Sequence, residues 1–209
     1  MYTLYYIPGT CSMAVHVILN ELGEKVELKN VSAPQGQPRS PEYLKINPRG
    51  SVPTLVDSGE VIREGGAILT YLLDKHNSPM LPRAGSERAR ALEWLMFANA
   101  TMHPAYGRGF FIMKNITDPA AKEQALKAAA DQINKLWAEV DARLAKNPYI
   151  CGKDITAADI LLTVIANWSS NFPQIKLGSN VKRLLKEIIA RPAYQEALKI
   201  EQVEYKAAA

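Results

Sequence analysis

Cysteine is scarce in this chain. Its 209 residues include two, Cys11 and Cys151, too few for a disulfide framework, so a reducing cytoplasm is the expected compartment. No apolar run approaches the roughly 18 residues of a membrane-spanning helix. The opening Met1-Tyr2-Thr3-Leu4-Tyr5 lacks the basic and apolar regions of a secretory signal. A dominant charge sign is missing too: 25 basic residues stand against 21 acidic ones, for a formal charge of +4. There is no run of five or six like charges and no aromatic-basic signature, so neither nucleic acid nor a membrane is an expected partner. The remainder is ordinary. With 47% hydrophobic and 22% charged residues, the chain can bury a core as one large domain or two small ones.

The first third alternates short strand and helix patterns. Tyr2 to Ile7 reads as a strand stopped by Pro8-Gly9, and Ser12 to Leu22 reads as a helix with Val15, Ile18, Leu19 and Leu22 on one stripe, ended by Gly23. Val26 to Val31 is a second strand. Thr54-Leu55-Val56 and Glu60-Val61-Ile62 form a hairpin around a three-residue turn, Asp57-Ser58-Gly59, and Gly66 to Lys75 closes the unit as a helix. The order predicts a small sheet covered by helices. After the proline-bracketed linker Asn77 to Pro82, only helical patterns follow. These run from Ser86 to about Lys114 with Leu92, Leu95, Met96 and Asn99 on one face, interrupted by Pro104, then onward from the Asp118-Pro119 cap. Thr156-Ala157-Ala158-Asp159 has capping-box spacing before an almost wholly apolar helix, and two short helices finish the chain. The expected division is residues 1–78, α/β, and residues 84–209, all helical.

Three features carry chemistry. Cys11 follows a strand and a Pro-Gly turn and opens a helix, where free N–H groups and the helix dipole favour a thiolate; a buried structural cysteine is the competing reading. Pro53 heads a strand, so Val52-Pro53 is either a trans strand start or a cis turn that turns the Val52 N–H and C=O outward for pairing with an extended peptide. Glu64-Gly65-Gly66 opens a helix whose N–H groups can bind a carboxylate while Glu64 meets an ammonium; the alternative is a capped turn with an exposed glutamate. A thiol site, a strand-like backbone edge and an amino-acid receptor together complement glutathione.

The sequence resembles bacterial, beta-class-like cytosolic glutathione transferases over nearly its whole length. The matching pieces are Tyr6 with Pro8-Gly9-Thr10-Cys11-Ser12, Asn47-Pro48-Arg49-Gly50-Ser51-Val52-Pro53, Glu64-Gly65, and Ile150-Cys151-Gly152 through Thr156 to Asp159. The resemblance implies a thioredoxin-like N-terminal domain plus an all-α C-terminal domain, a homodimer, glutathione as cosubstrate with no metal, and a cis Pro53. It implies Cys11 and His103 as catalytic residues. Tyr6, Thr10, Cys11, Val52, Pro53, Glu64 and Gly65 become glutathione contacts, and Met96, Tyr106 and Trp168 the walls of a pocket for small apolar electrophiles. Where the family often has a lysine for the glycyl carboxylate, this chain has Ala33 to Pro38, leaving Gln35 or nearby Arg39 to serve. Met96 replaces a frequent asparagine and makes the pocket more apolar. Thr10 replaces the usual alanine, and its hydroxyl competes with Cys11 for the glutathione sulfur. The implied activity is conjugation of glutathione to electrophiles. Thiol-disulfide exchange through a Cys11 mixed disulfide and a non-catalytic binding role are the alternatives.

Overall fold

The computed structural model describes all residues except Gln35, Gly36, Pro38 and Ala209. Four strands, β1 (Tyr2–Tyr6), β2 (Val26–Asn30), β3 (Thr54–Asp57) and β4 (Glu60–Arg63), form one sheet in the order β2-β1-β3-β4. β1 runs parallel to β2, with Leu4 opposite Leu28, and antiparallel to β3, with Leu4 opposite Leu55. The helices of this half are α1 (Ser12–Glu21), α2 (Pro41–Ile46) and α3 (Gly65–Lys75). This is the thioredoxin-like arrangement, and everything beyond it is helical: α4 (Gly85–Met96), α5 (His103–Asn115), α6 (Pro119–Leu144), α7 (Ala157–Ala166), α8 (Ser179–Ile189) and α9 (Pro192–Glu201).

The two halves share one core. The expected stripe on α1 is too narrow, because Ser12 through Leu19 are all buried. α1 lies on β1 and α3 of its own half and is covered from outside by α7 and α9, so it has no solvent face. α7 is buried along its entire length. Its capping box forms as the spacing predicts. The Asp159 carboxylate accepts from the Thr156 N–H and from the buried Ile150 N–H, both at 2.8 Å, tying the preceding loop to the helix start.

Two local expectations need correction, and a third gains detail. α2 stands where the sequence suggests only an extended link. Ser40 caps it by accepting from the Tyr43 N–H at 3.3 Å, and Pro41 takes the first helical position. The hairpin turn has two residues rather than three, since Asp57 pairs with Glu60. Ser58 (φ 51°) and Gly59 (φ 90°) take the paired positive-φ conformations that match strand twist. The interruption expected at Pro104 takes the form of a π-helical turn just before it, over Phe97–Met102, where the His103 N–H bonds Ala98 five residues back. Pro104, which has no N–H to donate, follows directly.

Candidate active site at the domain junction

Cys11 caps α1 at the end of a turn built from its own polar groups. Gly9 (φ 68°) turns the chain in a conformation costly for a side chain, and Val203 stands 3.4 Å from where its Cβ would be. The Thr10 hydroxyl donates to Ile7 O at 2.9 Å and pairs with Ser12 Oγ at 2.8 Å. It is therefore committed inside the turn, and the expected competition with Cys11 for a sulfur has no free hydroxyl to sustain it. The helical half grips the same turn. The Gly9 N–H donates to Glu201 Oε2 at 3.0 Å, and Trp168 Nε1–H donates to Gly9 O at 2.8 Å. Glu201 is buried, and its other oxygen meets buried His16 Nδ1 at 2.9 Å.

The Cys11 thiol is half-buried and donates to Val52 O of the same half at 3.5 Å. Its pKa is pushed up to about 11. Burial is the main cause; the N–H groups of Cys11 and Ser12 pull the other way, and the Glu64 charge adds a smaller push upward. The helix end does not make this thiol acidic, because the desolvation of a thiolate here outweighs those dipoles.

The Val52–Pro53 bond is cis. Two residues build its loop, one from the matched motif and one that sequence reasoning passes over: buried Asn47 donates from Nδ2 to Ser51 O at 2.9 Å and to Thr54 Oγ1 at 3.0 Å, and the Tyr43 hydroxyl meets the same two groups. The Asn-Pro-Arg-Gly motif is the available signal. Arg39, one candidate for a carboxylate, donates to Gly50 O at 3.3 Å, and Gln35 lies outside the described residues. The start of α3 abuts this loop. A Cβ on Gly65 would lie 3.7 Å from Pro53 Cγ and 3.1 Å from Asn99 Oδ1, and one on Gly66 would lie 2.6 Å from Met96 Cε. These glycines let Asn99 and Met96 pack closely on the start of α3 and leave its N–H groups accessible. Met96 rests on α3, away from the cavity below. Glu64 caps α3 at φ 72°, a conformation disfavoured for a side chain, and its exposed carboxylate pairs with Arg49 at 2.6 Å.

Between the halves lies a cavity of about 290 Å³ lined by Gly9, Thr10, Cys11, His103, Gly107, Phe110 and Trp168. Cys11, His103 and Trp168 are expected at one site from the sequence; Phe110 and Gly107 are not. His103 and Trp168 pack ring to ring at 5.1 Å, and burial lowers the His103 pKa, so its imidazole is neutral at pH 7. Tyr106 does not reach the cavity. It is fully buried, accepts from Trp137 Nε1–H at 2.7 Å and pairs with Ser169 Oγ at 2.6 Å, and burial holds its pKa at about 12. Tyr6 is likewise buried, 6.4 Å from the His16 ring and away from the cavity walls.

Residues 1–74 match the model of the glutathione S-transferase N-terminal domain, and residues 97–192 match that of the C-terminal domain. The chain belongs to the glutathione S-transferase family. It is 33% identical over 168 residues to glutathione S-transferase GST-4.5 of Xanthomonas campestris, covering 79% of this chain and 81% of that one. Among solved structures, a sphingomonad glutathione S-transferase complexed with glutathione is similar at TM-score 0.81 and 32% identity, covering 97% of this chain and 100% of that one. The bacterial beta class glutathione S-transferase of Sphingomonas chungbukensis is similar at TM-score 0.82 and 28% identity, again over 97% and 100%. The chain is a transferase of this bacterial, beta-like kind.

Proposed function

We propose that the protein conjugates the thiol of glutathione to small electrophiles, with residues 1–78 binding glutathione and residues 84–209 supplying the electrophile pocket. One observation carries the reading: the Cys11 thiol lines an apolar cavity together with a neutral histidine and is also hydrogen-bonded to Val52 O, in the loop against which α3 begins. The γ-glutamyl carboxylate meets the free N–H groups of α3, and Glu64 exchanges Arg49 for the ligand's ammonium. The cysteinyl backbone pairs with Val52 and replaces the Cys11 S–H at Val52 O, which frees that S–H to donate to the incoming sulfur. The glutathione thiol then gives its proton to His103, its sulfur forms the C–S bond, and the leaving group departs with the electron pair. Loss of the neutral imidazole turns the rate down in acid, at a lower pH than an ordinary histidine would, because burial lowers the His103 pKa. The high pKa of Cys11 disfavours the exchange alternative, which needs a cysteine thiolate. The protein acts as a cytoplasmic homodimer in this reading, in keeping with its family.

Calorimetric titration with reduced glutathione tests it. Saturable 1:1 binding per chain is expected, and retained affinity when Val52 and Glu64 are both perturbed (Val52→Pro, Glu64→Ala) would place glutathione elsewhere.

A further inference from the structure

Two glycines on α5 have opposite surroundings. Gly109 is buried, and a Cβ built on it would lie 2.7 Å from the Phe172 ring, so packing requires that glycine. Gly107 is exposed, sits in helical backbone, and has nothing of the protein within 4 Å of its Cβ direction. Packing does not require a glycine there, and a mid-helix glycine is disfavoured relative to alanine. Gly107 instead belongs to the wall of the 290 Å³ cavity. His103, Gly107 and Phe110 follow one another at i, i+4 and i+7 on a single face of α5. The missing side chain leaves a notch between two rings, opposite Trp168, whose ring lies 6.2 Å from Phe110 at 71°.

We infer that Gly107 sets the size of the electrophile, opening the pocket to flat aromatic groups of two fused rings. This rests on the conjugation reading above and names its substrate class. The volume supports two rings: a dry cavity of about 150 Å³ accommodates benzene, and this one is close to twice that. The chemistry supports flatness, since the walls beside the thiol are the rings of His103, Phe110 and Trp168.

The test is calorimetric binding of S-methyl-, S-benzyl- and S-(naphthylmethyl)-glutathione to the parent, Gly107→Ala and Gly107→Leu. In the parent, affinity rises from methyl to naphthylmethyl. Each methylene equivalent of ligand burial that is removed weakens binding about 4-fold, and an isobutyl group displaces two or three. The naphthylmethyl-to-methyl affinity ratio therefore falls about 30-fold in Gly107→Leu and a few-fold in Gly107→Ala. Gly107→Ala also raises Tm by roughly 1–4 °C, as a helical glycine without a packing role requires. An unchanged ratio in both variants, or a lower Tm in Gly107→Ala, overturns the inference. A parent that binds S-methyl-glutathione without preferring rings overturns it alone. A parent that binds none of the three overturns the conjugation reading as well.

Discussion

A half-buried, proton-holding Cys11 should resist alkylation at neutral pH. An unperturbed cysteine near pKa 8.5 is about 3% thiolate at pH 7. With its pKa pushed up to about 11, Cys11 is on the order of 0.01% thiolate at that pH, so its reaction with iodoacetamide should be roughly 300-fold slower than that of a free thiol. The sign follows from the cause: burial penalises the charged form, so the rate climbs about tenfold per pH unit up to pH 10 without a plateau. The rate constant is read at the Cys11 peptide by mass spectrometry between pH 6 and 10, which separates it from Cys151. Modification that levels off at or below pH 8 would refute the reasoning. It would mean that the N–H groups at the start of α1 prevail over desolvation, and the exchange chemistry disfavoured above would return.

Glu64→Ala should weaken glutathione binding by about 10- to 150-fold, the equivalent of a charge-assisted hydrogen bond of roughly 1.5–3 kcal/mol, with the circular dichroism spectrum unchanged. Arg49→Ala should strengthen it by up to about 5-fold, because the ligand's ammonium no longer displaces an exposed ion pair worth at most about 1 kcal/mol; both effects are read by calorimetry. Asp159→Ala leaves the N–H groups of Ile150 and Thr156 without acceptors and should cost roughly 2–5 kcal/mol in a denaturant titration, and a loss under 1 kcal/mol would show that the loop finds other partners. Light scattering at micromolar concentration should give twice the 23.1 kDa chain mass, and the chain mass itself would refute the dimer.

The long elements and the order of the motifs are legible because apolar periodicity, caps and punctuating Pro-Gly pairs are local signals. α2 escapes because its six residues are too short for a stripe, although Ser40-Pro41 announces it. The pocket is half legible. Once His103 faces Cys11, helical spacing puts Gly107 and Phe110 beside it, but Tyr106, at i+3, lies near the same face, and only the packing of its ring into the core removes it from the pocket. Position along the chain misleads about the acidity of Cys11, because the helix end is visible in sequence and burial by the opposite domain is not. The grip of Glu201 and Trp168 on Gly9 spans 192 and 159 residues, and no local pattern encodes contacts of that range.

The most direct test is the rate at which the protein joins glutathione to an activated halonitroarene, measured for the parent and His103→Ala across pH 5.5–8. The parent should turn over saturably in glutathione and lose activity on an acid limb that lies lower than that of an ordinary histidine. His103→Ala should fall by about 10²-fold or more and lose that acid limb. A parent no faster than the uncatalysed reaction, or a His103→Ala variant with the parental rate and pH profile, would contradict a thiol activated in the Cys11–His103 cavity.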